Sequence, residues 1–594
     1  MALIDKASLL MVPSTYEDGT LYNILPSGNK APDETGSHNG YDQTRADFTF
    51  SRGSNLAATR VNANGLIEKG RENLLTYSNT FSDSDWGKGS SITLTSGQSG
   101  YDGTNNAWLL SKGSVQYPSL GQQVSNSGVK TLSVYAKANA TSNLCLFVSS
   151  SPSNFYQDFD LSNGTLGAGS NGVIATNIDS VGDGWYRCSV VFNGATTSAD
   201  IFPDTISGAN AGSIYIQNAQ LEQGLVATDY IETGSVSATA GVLENTPRID
   251  YSSGAGALLL EPQRTNQIQH SEYIGSYWST SNSTVSNNEA ISPEGVQNAF
   301  ELTDNSTNGY HWIYRSGVDS GNNHRISFFA KANTLTEVWA NGGSGTKNAS
   351  FDLSAGTIIS TNGSPDATIE DYGDGWYRCS FTSDYSGVLI ATSKNGDNTY
   401  VGTGESLYLY GIQSESSASY ASSYIPTYGS AATRGADSCK IAHGEVLPTA
   451  YPFVLYAEAE VDNTKGSRCI LSFLDEATTN RYYSLEFGVT SGKFSAYNRS
   501  QGVVYGLDST DTYSNGRHKI AVLYSSSISY KMYVDGSEAG TKTHTASAFN
   551  SDIKDVLAGQ LRVVSDTGIR HPLTKTAFFN ESLSDSELAT LTTL

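Results

Sequence analysis

The chain has 594 residues, of which 38% are hydrophobic and 16% charged, and it contains 59 glycines and 35 tyrosines. This composition excludes intrinsic disorder and predicts about three or four domains built from short strands and turns. The net charge of −23 argues against nucleic-acid binding, which requires a basic face, and no stretch approaches the roughly 18 apolar residues of a helix inserted in a membrane.

The N-terminal region, 1–70, is predicted to be a docking segment followed by a leader. Residues 1–60 contain too few apolar residues for a core of their own, so we expect them to dock on another protein or to pair between protomers. The opening sequence MALIDKASLLMVPS lacks the basic region and the apolar run of a secretory signal. We therefore expect the chain to assemble in the cytoplasm in which it is made.

A duplicated module occupies 71–233 and 264–427. The octapeptide GDGWYRCS occurs at 182–189 and again at 373–380, and the flanking segments match in the same order. Alternation of apolar and polar residues, broken by turn residues about every ten positions, predicts that each copy is an antiparallel β-sandwich. The matched segments include RENLLTYS and RTNQIQHS, TLSVYAKAN and RISFFAKAN, and FDLSNGT and FDLSAGT.

The octapeptide is interpreted as structural, with ligand contact and catalysis as the alternatives. Asp183 and Asp374 each lie between glycines, which is ordinary turn chemistry. In the strand that follows, Trp and Arg face one side of the sheet and Tyr and Cys the other, so one of these pairs is expected in the core. Arg187 and Arg378 are expected to anchor a carboxylate or carbonyl of a neighbouring loop.

Two connectors and a different C-terminal region complete the chain. The linker 234–263 and the segment AATRGADSCKI (431–441) carry an arginine, an acidic residue and apolar residues that need cover, so they are expected to lie ordered against neighbouring domains. The region 428–594 contains alternating strands and ends in a short helix, for which Ser584 and Glu587 predict a capping box.

The cysteines are few and widely spaced. No CxxC motif or Cys/His cluster is present, so neither a disulfide framework nor a zinc site is expected. We expect buried free thiols at all five positions, which are Cys145, Cys188, Cys379, Cys439 and Cys469.

Several segments carry resemblances to known families. The two modules resemble jelly-roll carbohydrate-binding modules through SVYAKA and SFFAKA, GDGWYRCS and the closing AQLEQG and YIET. The region 428–594 resembles concanavalin A-like, laminin G-type sandwiches through HKIAVLYSSSISYKMYVDGSEAGT and FFNESLSDSEL. The string KASLLMVPSTYEDGTLYNILP and the connector PRIDYSSGAGALLLEPQRTN resemble openings and connectors of tailed-bacteriophage fibre and other virion proteins.

The resemblance implies an all-β fold class: tandem antiparallel β-sandwiches, namely two jelly rolls plus a concanavalin A-like sandwich, with a short N-terminal docking segment. It further implies a structural component of a phage virion, a tail or head fibre or appendage, that adheres to host-surface glycans. The implied location is the virion surface, with contacts to other virion proteins through 1–60. A homo-oligomer is expected, with a trimer as the first expectation, because several weak sites gain avidity.

Two alternatives to this function stay open. One is a non-binding capsid or tail decoration protein that uses the sandwiches as spacers, and the other is a glycan-cleaving depolymerase. No catalytic motif stands out, so no enzyme activity is expected. Jelly-roll modules of this resemblance often carry a structural calcium ion, but the closing strands lack an obvious aspartate pair, so no metal or cofactor is expected.

The candidate glycan-binding residues are Trp312, Trp339 and Tyr156, because aromatic faces stack on the C–H surfaces of sugars. Trp312 in GYHWIY and Trp339 in EVWANGG have no tryptophan counterpart in the first module, so folding of this module type does not require them. Tyr156 in SNFYQDF is the candidate in the first module. Extra core or interdomain packing is the alternative for the two tryptophans. Matched aromatic positions are expected in the core: Trp86 and Trp278, Trp185 and Trp376, and Trp108 with Phe300.

Overall fold

The computed structural model describes residues 3–15, 23–24, 49–54, 56–318, 323–343, 346–363, 366–442, 448, 450–463, 468–474, 482–500, 503–526, 528–545, 555–558 and 572–594. Within these ranges the chain is all-β, built from antiparallel sheets that pack face to face, as the alternating sequence predicts. The predicted fold class is confirmed.

The strands that precede the first module come from the N-terminal segment and its leader. They are β1 (Leu9–Met11), β2 (Asn23–Ile24), β3 (Thr49–Ser51), β4 (Thr59–Val61) and β5 (Ile67–Asn73), with short 3₁₀ turns at Leu3–Lys6 and Pro13–Thr15.

The first module is a sandwich of two six-stranded sheets, ordered β14-β15-β10-β17-β8-β7 and β13-β12-β11-β16-β9-β6. Aliphatic side chains from the facing sides of both sheets form one core. The strands are β6 (Trp86–Lys88), β7 (Thr93–Gln98), β8 (Ala107–Lys112), β9 (Leu120–Asn126), β10 (Val129–Ala138), β11 (Asn143–Ser151), β12 (Phe155–Asp160), β13 (Thr165–Gly169), β14 (Ala175–Gly182), β15 (Trp185–Asn193), β16 (Ala195–Phe202) and β17 (Gly212–Gln223).

The second module repeats this arrangement after a linker that contributes β18 (Ala238–Gly241), β19 (Ile249–Asp250) and β20 (Ala257–Leu258). Its two six-stranded sheets are ordered β23-β24-β35-β27-β32-β31 and β22-β26-β33-β28-β29-β30. The strands are β21 (Arg264–Asn266), β22 (Ser279–Ser281), β23 (Ser283–Ile291), β24 (Gln297–Asp304), β25 (Asn308–Gly309), β26 (Trp312–Ser316), β27 (His324–Ala332), β28 (Glu337–Asn341), β29 (Asn348–Asp352), β30 (Thr357–Asn362), β31 (Thr368–Asp371), β32 (Trp376–Ser383), β33 (Gly387–Ser393), β34 (Tyr400–Val401) and β35 (Ser406–Ser416).

The C-terminal sandwich packs a nine-stranded sheet against a seven-stranded one. Helix α1 (Asp585–Thr592) follows, and Ser584 and Glu587 form the predicted capping box. Strand β36 (Ala432–Arg434) precedes the sandwich and pairs with β21. The strands that this region contributes to the sandwich are β37 (Ser438–Ala442), β38 (Phe453–Val461), β39 (Arg468–Leu474), β40 (Tyr482–Phe487), β41 (Phe494–Ser500), β42 (Val503–Asp508), β43 (Gly516–Tyr524), β44 (Ser529–Val534), β45 (Ser537–Thr543), β46 (Asp555–Ala558) and β47 (Leu573–Phe579).

Part of the N-terminal segment belongs to this C-terminal sandwich. Strand β1 pairs with β47, and β3 pairs with β37. Leu9 and Met11 are fully buried in the core of the sandwich. This differs from the prediction of a separate segment, because the apolar run LLM supplies backbone partners for one edge of β47. Residues 16–22 and 25–48 of the predicted docking segment lie outside the described residues, and contacts with other virion proteins stay a prediction.

The repeated octapeptide has the structural role that its sequence predicts. Asp183 and Asp374 adopt the left-handed conformation, with φ of 51° and 50°, at the turn into β15 and β32. Arg378 donates from Nη2 to the carbonyl of Ser422 at 2.6 Å. Arg187 donates to the carbonyls of 227 and 228 in the corresponding loop. The five cysteines are all buried free thiols, as expected.

The connectors meet in a buried network of charges, which we call the arginine hub: Arg52, Arg248, Arg434, Glu261 and Asp437. Arg248 and Arg434 contact the Glu261 carboxylate at 2.9 and 3.0 Å, and Arg52 contacts Asp437 at 3.0 Å. Arg248 also pairs with Asp437. Burial alone would raise the pKa of Glu261, but Arg434 and Arg248 hold it well below its usual range. The hub joins the N-terminal segment, the linker and the segment that follows the second module.

A second buried contact joins the leader to the second module. Ile67 packs in one cluster with Phe329 and Trp376 on the outer face of the β27 sheet. Lys69 lies fully enclosed beside Glu272, with its Nζ 2.5 Å from the carboxylate, and it also pairs with Glu294. Burial lowers the pKa of Lys69 to about 8, although Glu272 opposes the shift.

The two modules touch where Gly128 meets the backbone after the second module. The amide of Val129 donates to the carbonyl of Tyr428 at 2.7 Å. Gly128 has a φ of 96°, and a Cβ at this position would collide with the same carbonyl oxygen. Only glycine therefore permits this close approach of the two backbones.

We predict that Arg248→Met destabilises the chain by about 3–5 kcal/mol, because it leaves two buried carboxylates with too little compensating charge. The control is Arg60→Met, which removes a partly exposed pair with Glu68 and is expected to cost about 1 kcal/mol or less. Chemical denaturation of both variants measures the difference. Equal losses for the two variants would contradict a structural role for the hub.

We predict that Gly128→Ala lowers the melting temperature more than Gly97→Ala does. Both glycines have positive φ, but the added methyl group meets nothing within 4 Å at Gly97 and meets the 428 carbonyl at Gly128. The two variants therefore share the backbone strain and differ only in the contact between modules. Indistinguishable melting temperatures would show that the backbones separate at little cost.

Candidate functional site

The candidate site lies on the outer face of one sheet of the second module. In β26 and β28, Ile313 and Val338 point into the core, so alternation directs Trp312 and Trp339 to the opposite face. Both tryptophans are partly exposed, and neither belongs to the buried core of the module. The structure thus brings these two predicted residues to one surface.

The strand register places the two tryptophans in one row across the sheet. Trp312 and Trp339 both lie opposite Ala391 of β33, one on each side of it. Because neighbouring strands are spaced about 4.8 Å apart, the two tryptophan backbones are separated by about 10 Å. Ala391 is fully buried between them. The row therefore has large aromatic side chains at its flanks and a small side chain at its centre.

Two tyrosines extend the row into a wider aromatic surface. Tyr310 is 44% exposed, and its ring centroid lies 6.1 Å from that of Trp339. Tyr314 makes an edge-to-face contact with Trp312 at 5.9 Å. We call this surface the tryptophan face, and it comprises Tyr310, Trp312, Tyr314, Trp339 and Ala391. Such rings present flat apolar surfaces while their polar atoms can reach water or a ligand.

Polar groups lie beside the tryptophan face. Ser350 of β29 is directly opposite Trp339. Ala349 and Phe351 point into the core, so the Ser350 side chain lies on the outer side. It is 1% exposed, and within the described residues its Oγ has no hydrogen-bond partner. A buried hydroxyl without a partner is costly, so this group would gain from an added hydrogen bond.

The loop that carries Tyr310 is held by a buried histidine. The ring nitrogens of His311 lie 2.7 Å from the carbonyl of Asn282 and 3.2 Å from the carbonyl of Tyr400. Tyr400 in turn donates to Asp304 at 3.0 Å. Burial raises the pKa of Tyr400 and Asp304 adds to the effect, so the hydroxyl remains a donor. These contacts fix the aromatic residues that flank His311 in the sequence.

Tyr156 lies apart from this surface. It is on β12 of the first module, opposite Phe147, and is half-buried. Its backbone amide donates to the hydroxyl of Ser170 at 2.9 Å. The structure therefore places Tyr156 on an outer face of the other copy and does not bring it together with the two tryptophans.

The tryptophans that match between the copies are buried. Trp86, Trp185 and Trp376 are each 2% exposed and Trp278 is 5% exposed. Trp185 and Trp376 pack outside the central cores, among aromatic residues on the outer face of their own sheets. Phe300 is fully buried, whereas its counterpart Trp108 is only partly buried against the core.

Sequence reasoning missed Ala391 and Ser350. Tyr310 and Tyr314 lie within the predicted segment GYHWIY but were not singled out, although the alternation of that strand was a signal that could have found Tyr314. Ala391 and Ser350 carry no such signal, because only the pairing of distant strands places them beside the tryptophans.

The described residues contain no helix that is long and apolar enough to cross a membrane. In the same part of the chain, no group of three or more His, Cys, Asp or Glu residues is arranged to hold a metal ion.

Comparison with known proteins gives no family assignment. No family model and no curated protein matches the chain. Among solved structures, it is similar to the CBM40 domain of the Ruminococcus gnavus IT-sialidase bound to α2,3 sialyllactose, with 18% identity, a TM-score of 0.23 and coverage of 25% of this chain and 84% of that chain. A mutant NanB sialidase from Streptococcus pneumoniae has 17% identity, a TM-score of 0.23 and coverage of 25% of this chain and 26% of that chain.

A SAP-like pentraxin from Limulus polyphemus is also similar, with 14% identity and a TM-score of 0.19, over 24% of this chain and 70% of that chain. At these values the likeness carries no functional argument.

We predict that Trp312→Ala and Trp339→Ala each change the free energy of unfolding by less than about 1 kcal/mol, because both side chains lie outside the core. Trp376→Ala, at a position only 2% exposed, is expected to cost about 3–5 kcal/mol. Chemical denaturation of the three variants checks this. If the variants at 312 and 339 lose as much free energy of unfolding as the variant at 376, both tryptophans contribute to packing and not to a binding surface.

Proposed function

We propose that the chain is a binding protein that holds a glycan on the tryptophan face of its second module. The observation that supports this is the row in which Trp312 and Trp339 flank the small side chain of Ala391 on an outer surface. Sugar rings present C–H surfaces that stack on aromatic rings, and their hydroxyls require hydrogen-bond partners nearby. The unpartnered hydroxyl of Ser350 lies in the same row.

The row also suggests the size of the ligand. The two tryptophans are separated by two strand spacings, or about 10 Å, which is wider than a single sugar ring. A ligand that contacts both would be an oligosaccharide lying across the strands. Tyr310, whose ring lies beside Trp339, would add a third aromatic contact.

In the wider role that the sequence resemblance suggests, the chain is an appendage of a tailed-phage virion that adheres to host-surface glycans. It would be located at the virion surface and contact other virion proteins through residues of 1–60. Copies of the chain, with a trimer as the first expectation, would combine weak sites into an avid attachment. We propose that the chain binds without cleaving its ligand.

A second candidate is a non-binding decoration protein in which the sandwiches serve as spacers. The arginine hub favours it, because buried ion pairs between connectors hold the domains as a stiff unit. A spacer needs this stiffness but has no use for an exposed row of tryptophans. The two candidates are therefore separated by whether the tryptophan face contacts a ligand.

The test is binding of the full chain to an array of host-surface oligosaccharides and to host cells. We expect the wild-type chain to bind, and Trp312→Ala or Trp339→Ala to weaken binding about tenfold or more, a loss of about 1.4 kcal/mol. Tyr117→Ala is the control, since Tyr117 is an aromatic residue of the first module that is 60% exposed. Its removal should leave binding unchanged.

Absence of binding by the wild-type chain, or equal binding by all variants, would overturn the proposal. The non-binding decoration protein would then be the remaining candidate. Release of soluble sugar from host polysaccharide during the same incubation would instead favour the depolymerase.

A further inference from the structure

We propose that the second module alone binds the glycan and that the side chain at position 391 decides this, an inference that rests on the proposed function. The two modules descend from one repeat, so their sheets can be superposed strand by strand. The comparison shows which features of the tryptophan face are missing from the first module.

The equivalent strands follow from the order of the sheets. In the first module the order is β12-β11-β16-β9, and in the second it is β29-β28-β33-β26. Core pairs fix the register between them: Leu144 lies opposite Phe159 in the first module, and Val338 lies opposite Phe351 in the second. All four side chains belong to the buried cores.

This register gives the counterparts of the tryptophan row. Cys145 follows Leu144 as Trp339 follows Val338, so these two positions are equivalent. Cys145 lies opposite Phe202 of β16, whereas Trp339 lies opposite Ala391 of β33. Position 202 is therefore the counterpart of position 391.

The remaining flank follows in the same way. Leu120 lies opposite Ile201, and Ile313 lies opposite Ile390. The residue before Leu120 is Ser119, which is the counterpart of Trp312.

The pattern of side-chain sizes is inverted between the two rows. The second module has Trp, Ala and Trp across its three central strands, and the first has Ser, Phe and Cys. The Phe202 ring packs edge-to-face on Phe147 at 5.9 Å. It fills the centre of the row, and the flanks offer no aromatic surface on which a sugar could stack.

The polar partner is also different. Asp158 of the first module is the counterpart of Ser350, since each lies opposite the equivalent strand residue, Cys145 or Trp339. Asp158 accepts a hydrogen bond from the amide of Ile206 at 3.0 Å. The Ser350 hydroxyl has no hydrogen-bond partner in the part of the chain that the structure describes. The polar side chain at this position is therefore hydrogen-bonded within the first module, whereas its counterpart Ser350 is not hydrogen-bonded among the described residues.

A small residue at 391 is thus what allows one ligand to contact both tryptophans. A larger side chain there would rise between the two indole rings and separate the ligand from one or both of them. Phe202 shows that a phenylalanine fits at this position between the small side chains of Ser119 and Cys145, with only 7% of its surface exposed. In Ala391→Phe the new ring has to displace the flanking indoles, so the shared stacking surface is expected to be lost, and the melting temperature of the variant shows whether folding is affected as well.

The test compares full-length variants by calorimetry with an oligosaccharide that binds the wild-type chain. We expect one ligand per chain and a loss of about tenfold or more in affinity for Ala391→Phe. Phe202→Ala, the matched change in the first module, should alter neither affinity nor stoichiometry.

Two ligands per chain, or wild-type affinity for Ala391→Phe, would overturn this inference while leaving glycan binding intact. If Ala391→Phe lowers the melting temperature, Ala391→Val makes the same test with a smaller side chain, and wild-type affinity for that variant would likewise overturn the inference. No binding by the wild-type chain to any sugar would overturn the proposed function itself, and the inference with it.

Discussion

The arrangement of this protein depends on the charge balance within the arginine hub. Arg52, Arg248 and Arg434 come from three connectors that are far apart in sequence, and they share the carboxylates of Glu261 and Asp437. Removing such charges from water is expensive, and the cost is recovered only when all partners are in place. The hub is therefore stable only when the N-terminal segment, the linker and the post-module segment are docked together, which couples the domains.

The features that sequence could predict are those that are local or repeated. Alternation predicted the strands, and the matched segments around GDGWYRCS predicted that the chain contains one module twice. The capping box at Ser584 needed only four neighbouring residues. Comparison of the two copies also separated Trp312 and Trp339 from the tryptophans that folding requires.

The features that sequence could not predict depend on pairing between distant residues. Arg248 and Asp437 are 189 positions apart, so the connectors showed that an arginine recurs but not that Arg248 and Arg434 converge on shared carboxylates. Ala391 and Ser350 become part of the site only through the register of β33 and β29. The N-terminal segment has too few apolar residues to form a core of its own, which predicted a separate segment. Leu9 and Met11 instead complete a core that is formed mainly by residues of the C-terminal sandwich.

The pairing of β1 with β47 has a consequence for how the chain is made. Ser8 and Phe578, which are hydrogen-bonded in the folded protein, are separated by 570 residues. At about 5–20 residues per second, the early strand leaves the ribosome roughly half a minute to two minutes before its partner is synthesised. Both modules can fold during that interval, whereas the terminal sandwich has to wait. Because β1 is only three residues long, it is a poor template for pairing with other nascent chains on the same mRNA.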